Sequence, residues 1–215
     1  MEIDLLASLP KPKRDLRERS TVRTSEHVRI SRQYGQEYFD GDRAYGYGGY
    51  HYDGRWIPVA QDIMSHFGLG SGARVLDVGC AKGFLVKDMV DLGLDAYGLD
   101  VSAYAVRNCP VEIAGRLQIG TADRLPFADA TFDAVISINT IHNLDRQKCV
   151  HALSEIQRVS RGCSFVQVDS YRTEEQRKVF EDWVLTAEFH GYPDDWQKVF
   201  MEAGYSGDWF WTIID

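Results

Sequence analysis

The stretch VLDVGCAKGFL, residues 75–85, decides the fold. Val75, Leu76 and Val78 read as a short buried strand, Gly79 and Gly83 break the run, and Phe84 opens a segment with helical apolar spacing. A strand that enters a glycine-containing turn and leaves it as a helix is built to receive a ligand. The glycines let the turn tighten and let a ligand approach the backbone where the helix N-terminus points its free amides.

The frame is D-x-G-x-A-x-G, from Asp77 through Gly79 and Ala81 to Gly83. A dinucleotide such as NAD calls for G-x-G-x-x-G around its pyrophosphate. The Asp77 carboxylate at the strand end repels a pyrophosphate and attracts an ammonium group, which favours S-adenosylmethionine over NAD. Cys80, inside the turn, is placed with the cofactor residues.

The chain repeats the same alternation downstream. ARVLDVGC, DAYGLDVS, GRLQIGTA, FDAVISIN and CSFVQVDS read as strands, with helical segments between most of them. TEEQRKVFEDWVLTAEF and PDDWQKVFMEAG read as helices, and GDWFWTIID as a last strand. That order predicts an α/β fold, a mainly parallel sheet between two helical layers. Asp100 ends the second strand at the spacing of an acid that accepts from ribose hydroxyls, with Val101 beside it. After the third strand, Asp123 is placed to accept from an adenine amino group, with Ala122 and Leu125 against the ring. The ordinary alternative for Asp123 is a turn or a helix cap.

The 215 residues carry a net charge of −8 and 44% hydrophobic residues. That balance fits one globular domain with a small appendage and excludes a general nucleic-acid coat or a membrane-surface protein. No apolar run approaches the about 20 residues that span a bilayer. With no leader pattern at the N-terminus, a cytoplasmic location is expected. The four cysteines, Cys80, Cys109, Cys149 and Cys163, lack C-x-x-C spacing, so neither a metal site nor a disulfide framework is expected.

DVGCAKG, the acid in GLD, GTADRLPF and FDAVISINTIHNL, in that order, resemble the class I S-adenosylmethionine-dependent methyltransferases, over residues 57–215. The resemblance implies a Rossmann-like three-layer sandwich, S-adenosylmethionine as cofactor and S-adenosylhomocysteine as product. Two departures stand out: Ala81 replaces a glycine, and one C-terminal strand stands where that family usually has a terminal hairpin. The strand FDAVISIN runs into Asn139-Thr140-Ile141-His142-Asn143, which is not the NPPY or DPPY of many amino-group methyltransferases. O-methylation is therefore expected, with His142 as the candidate base, Asn139 beside the cofactor and Asn143 toward the substrate. An N-methyltransferase, an NAD-type binding protein and an inactive cofactor-binding subunit remain as alternatives.

Residues 38–56 read YFDGDRAYGYGGYHYDGRW and follow neither a helical nor a strand pattern. Linkers seldom carry so many large rings, so residues 1–56 are expected to form an arm and a Tyr/Gly-rich helical or loop cap, with a methyltransferase domain over 57–215. Tyr45, Tyr47, Tyr50, Tyr52 and Arg55 are candidate substrate contacts, with Tyr171 and Arg172 at the end of the fifth strand. Residues 11–32 form a basic arm. The Tyr/Gly pattern, with VDSYRTEE and WVLTAEF, is similar to a bacterial subgroup associated with capsule and lipopolysaccharide clusters. That similarity implies a small sugar-related or phosphorylated substrate, without nucleic acid or membrane, and leaves the oligomeric state open.

Overall fold

The computed structural model describes residues 1–10 and 23–213. The first half of the expected basic arm, residues 11–22, lies outside them. Six strands form one sheet: β1 (Arg74–Val78), β2 (Asp95–Asp100), β3 (Leu117–Ile119), β4 (Phe132–Ile138), β5 (Ser160–Ser170) and β6 (Asp208–Ile213), in the order β3-β2-β1-β4-β5-β6. Every pairing is parallel. Parallel pairing buries both faces, which is why β1 and β4 read as near-continuous apolar runs. Successive residues alternate between layers. Leu76 and Val78 pack with Val135, Leu153 and Trp196 on one face, and Val75 packs with Ala134, Val59 and Met89 on the other.

The helices cover both faces. They are α1 (Ser25–Ser31), α2 (Gln36–Asp40), α3 (Ile57–Phe67), α4 (Phe84–Asp91), α5 (Ala103–Arg107), α6 (Arg146–Val159), α7 (Glu174–Trp183) and α8 (Pro193–Ala203). The chain runs outward from β1 in both directions, to β2 and to β4, so the carboxyl ends of these strands diverge into a crevice.

The expected helix over residues 173–189 stops at Trp183, and Val184 is already extended. Distant groups claim the following backbone. The Val184 carbonyl accepts from Arg23 Nε at 2.7 Å and the Ala187 carbonyl from Arg32 at 3.0 Å. The amides of Glu188 and Phe189 both donate to the His142 carbonyl. These tertiary bonds outweigh the local helical preference.

The sheet also ends differently from the family pattern. Among the described residues no antiparallel strand separates β5 from the last strand, and β6 lies directly against β5, with Val168 opposite Trp211. The outer edge of β6 carries a bridge from Glu2 to Trp209, with the Ile3 amide on the Trp209 carbonyl at 2.9 Å. This covers part of an exposed edge.

The tyrosine and glycine stretch folds back on α2. The Tyr47 amide donates to the Tyr38 carbonyl at 2.9 Å, and a Cβ on Gly46 would stand 2.2 Å from that carbonyl, so only glycine fits there. The folded stretch is clasped to the glycine turn. Lys82, buried, places Nζ 2.7 Å from each Asp40 oxygen and 3.0 Å from the Tyr50 carbonyl. Tyr104 donates to Asp40 at 2.6 Å, and the Tyr50 ring stacks on Phe84 at 4.7 Å. Removing one partner of a buried pair strands the other's charge. Lys82→Met is therefore expected to weaken docking of residues 34–50 by about 3 kcal/mol, read as roughly hundredfold faster amide exchange there with unchanged exchange in β1 and β4.

Candidate functional site

A cavity of about 160 Å³ opens at the crevice between β1, β2 and β4. Its first wall comes from the ends of β2 and β3: Asp100, Val101, Thr121 and Ala122. Gly79 and Ala81 form the middle, where β1 turns into α4. Beyond them lie Ile138, Asn139, Thr140, Asn143 and Leu144, from the end of β4 and the short 3-10 helix Ile141–Asn143. Tyr34, Tyr38, Phe39 and Tyr47 complete the lining from residues N-terminal to α3.

The turn is held from within. Asp100 accepts the Ala81 amide on Oδ2 and the Ser102 amide on Oδ1, both at 2.7 Å. Burial pushes the Asp100 carboxyl up, and these two backbone donors partly offset the shift. Each oxygen keeps a second lone pair for a ribose hydroxyl. Gly79 has φ +84°, and a Cβ there would meet Thr140 Oγ1 at 2.0 Å, so glycine is needed both for conformation and for closeness. Ala81 also stands in the left-handed region, at φ +52°, so it takes up the glycine conformation at some cost.

Asp77 is buried, and among the described residues no group donates a hydrogen bond to it. Burial first, then the neighbouring Asp100, raises its carboxyl to about 7. It does not line the cavity itself, but it stands two residues before Gly79, which does. A buried carboxylate with no donor beside a second carboxylate creates a local demand for a cation, and the α-ammonium of a methionine moiety meets it. Asp100 and the close-approach turn suit the ribose, and the apolar wall around Ala122 suits a base. The residues present thus fit S-adenosylmethionine.

Other expected residues lie elsewhere. Cys80 turns into the core, where a Cβ on Gly98 would stand 2.6 Å from its Sγ, and burial pushes its thiol well up. Gly83 packs under Ile113 and Leu117 as the residue that starts α4. Asp123 sits in the turn closed by Thr121 and Arg124, outside the lining. Of the substrate candidates, Tyr47 and Asn143 line the cavity. Tyr45 packs against His27, Tyr50 on Phe84, and the Tyr52 hydroxyl holds Asp88 at 2.5 Å. Arg55 pairs with Asp53, the Tyr171 hydroxyl meets His190 Nδ1 at 3.1 Å, and Arg172 pairs with Glu2 at 3.4 Å.

His142 corrects the expectation of a base. Its ring is buried outside the cavity lining. Nδ1 accepts the Asp169 amide at 3.0 Å, which leaves the proton on Nε2, 3.3 Å from Asp169 Oδ2. Burial lowers its pKa, and Asp169 only partly opposes this. Both ring nitrogens are thereby engaged by Asp169.

Sequence reasoning missed Tyr34, Tyr38, Phe39, Thr121, Ile138, Thr140 and Leu144 in the lining, and Lys82 in the clasp. Tyr34 and Tyr38 are four residues apart, a spacing that puts two rings on one side of a turn of chain. Among the described residues no group of three or more His, Cys, Asp or Glu side chains could hold a metal. No helix of the described chain is long and apolar enough to cross a membrane.

Residues 76–166 match the family described as a methyltransferase domain. The matched stretch, the sheet order and the turn together have the class I methyltransferase fold, and the residues of the turn suit S-adenosylmethionine as methyl donor. Among curated relatives, the mouse (Mus musculus) protein named "Probable tRNA methyltransferase 9B" is 31% identical over 114 residues, 51% of this chain and 24% of that protein. Sterol 4-C-methyltransferase strm-1 of Caenorhabditis elegans is 30% identical over 127 residues, 54% of this chain and 36% of that protein. Demethylmenaquinone methyltransferase of Beutenbergia cavernae is 38% identical over 113 residues, 51% of this chain and 44% of that protein. The chain spans less than half the length of these relatives.

Solved structures agree on the fold. The MccD protein superposes with a TM-score of 0.55 at 21% identity, covering 66% of this chain and 68% of that chain. The YcgJ protein of Bacillus subtilis gives 0.53 at 21% identity, covering 67% and 66%.

Two outcomes test the turn and the buried acid. Between the unfolded carboxyl value and about 7 the folded state binds more protons at Asp77, so its stability contribution is present below that window and is lost as pH rises through it. Asp77→Asn is expected to stabilise the ligand-free protein at pH 8, on the order of a few kcal/mol, and to change little near pH 4. The same variant should bind S-adenosylhomocysteine more weakly and lose the wild-type gain in affinity between pH 6 and 8, as calorimetry would show. Ala81→Gly is expected to raise stability by about 0.5–1 kcal/mol in urea unfolding, because it relieves the left-handed alanine.

Proposed function

We propose that this chain methylates a small polar metabolite bound under the aromatic cap, with an amine as the acceptor group. The carrying observation is the chemistry of the cavity wall: among the described residues it includes no histidine, lysine or arginine, and its one carboxylate there, Asp100, is held by two backbone amides. A hydroxyl acceptor benefits from a base, and the expected one, His142, is engaged with Asp169. When bound, S-adenosylmethionine supplies an electrophilic methyl that passes in line to the acceptor lone pair as the carbon–sulfur bond breaks, and the methylated ammonium then gives its proton to solvent. The chain's residues bind, orient and exclude water.

Asp77 answers the methionine ammonium, Asp100 the ribose and the Ala122 wall the adenine. Residues 23–56 act as the cap, with the Tyr34, Tyr38 and Tyr47 rings over the reacting end. A sugar-related substrate, an amino sugar above all, follows from the similarity of the Tyr/Gly segment to enzymes of polysaccharide clusters and suits a wall of rings and uncharged polar groups. Among the described residues the wall carries no cationic side chain, which disfavours a phosphate inside the part of the cavity that they line. The acidic balance of the chain speaks against a tRNA substrate of the kind named for the mouse relative.

The experiment is a methylation assay with labelled S-adenosylmethionine against paired amino and hydroxyl sugars, each product weighed. Turnover of the amino sugars with the paired hydroxyl sugars at least tenfold slower is the expected result. Equal or faster turnover of the hydroxyl partners returns the reading to O-methylation.

A further inference from the structure

We infer that Glu155 and Arg158, two residues of α6 outside the cavity lining, position the wall that reads the base of the methyl donor and thereby set its preference for adenine. The inference rests on the cavity being the methyl-donor site and gives the pair a positioning role in it. Thr121 and Ala122, which line the cavity, belong to the chain between β3 and β4, residues 120–131. This stretch is tied at its two ends. The Gly120 amide donates to the Asp100 carbonyl and the Ala130 amide to the Arg158 carbonyl, each at 2.9 Å. Between them the Arg124 amide donates to the Thr121 carbonyl at 3.2 Å, so residues 121–124 close into one turn that leads directly into Leu125.

Leu125 is where α6 takes hold of that turn. Its amide donates to Glu155 Oε2 at 2.8 Å, and its carbonyl accepts from Arg158 Nη2 at 3.1 Å. Glu155 and Arg158 stand one helical turn apart and bind each other twice, Nε to Oε1 at 2.6 Å and Nη2 to Oε2 at 2.8 Å. The carboxylate and the rigid guanidinium fork therefore meet both polar groups of one residue as a single preset surface. Nη1 reaches on to the Phe127 carbonyl at 2.8 Å. Arg158 first, and the Leu125 amide less, hold the Glu155 carboxyl below its usual range against its burial. The Ala122 and Leu125 side chains pack in the same core as Leu153 and Ile156 of α6, so the helix fixes the turn through backbone and side chains together. Hydrogen bonds weaken steeply with distance and angle, whereas apolar contact tolerates a small shift. The clamp thus matters most to the polar edge of a base. Adenine offers an acceptor ring nitrogen beside an amino donor, and hypoxanthine reverses both, so a wall held in register for the first rejects the second.

Two ligands that differ only at the base test this without knowledge of the substrate: S-adenosylhomocysteine, and S-inosylhomocysteine, in which a carbonyl oxygen replaces the adenine amino group. Calorimetric titration of the wild type should show the adenosyl compound bound roughly tenfold or more tightly than the inosyl one. Arg158→Leu should bring the two within about twofold of each other by weakening the adenosyl compound alone. An affinity for the inosyl compound that stays within about twofold of wild type also reports an intact fold. Glu155→Gln keeps an oxygen for the Leu125 amide but gives up the ion pair, so it should show an intermediate preference, and it decides alone if Arg158→Leu does not fold. A full preference retained in either variant, or none in the wild type, overturns the inference. Equal loss of both ligands in both variants overturns it too, because the pair would then support the whole site and not the wall at the base. Failure of the wild type to bind either ligand would instead overturn the donor-site reading itself.

Discussion

The rest of the site depends on the two backbone amides that Asp100 holds. Oδ2 on the Ala81 amide fixes the turn after β1, and Oδ1 on the Ser102 amide fixes the turn after β2. The carboxyl ends of two neighbouring strands are thus set relative to each other by one buried side chain. Without that bond the Ala81 amide would have no partner in a region with little water, and the left-handed alanine would have less reason to persist. Burial first, and then this same carboxylate, raise the pKa of Asp77, so the side chain that shapes the turn also charges the site against itself until a cation arrives.

An ion pair couples that turn to the cap. Lys82 follows Ala81 directly, and its ammonium crosses to Asp40, so the conformation that directs the Ala81 amide to Asp100 also carries the lysine to the cap. Asp40 in turn receives the Tyr104 hydroxyl, from the helix that begins just after the Ser102 turn. The cap therefore rests on both turns that Asp100 joins. Its far side reaches residues 184–188 through Arg32, and that loop hangs from the His142 carbonyl. The buried histidine thus has a positional role: its ring locks onto Asp169 while its carbonyl carries the loop that bears Thr186.

The sheet was legible because parallel strands buried on both faces must be apolar throughout, and ARVLDV and FDAVISI meet that demand without help from distant residues. Asp100 was legible because its place follows from strand length and the turn. The end of α7 was not, since the groups that pull Val184 and Ala187 out of a helix are Arg23 and Arg32, more than 150 residues away. Tyr52 and Arg55 were misplaced for a similar reason. Composition marked their stretch as a surface of rings and charges, but which ring faces the cavity depends on the reversal at Gly46, a close contact that no pattern of apolar residues encodes. His142 and Asn143 are adjacent, and sequence gave the histidine the larger role because its pKa suits proton transfer. The tight 3-10 turn instead points the histidine at Asp169 and leaves the asparagine among the lining residues.

That exchange of roles bears on how the site does chemistry. Among the described residues the wall presents rings, amide and hydroxyl groups and one carboxylate, and no cation. Such a surface favours positive charge from the methionine end to the reacting end, where aromatic faces attract a sulfonium and, on the amine reading proposed above, a methylated ammonium alike. Stabilising the cationic donor and the cationic product equally would slow turnover, because only what is held better in the transition state accelerates the step.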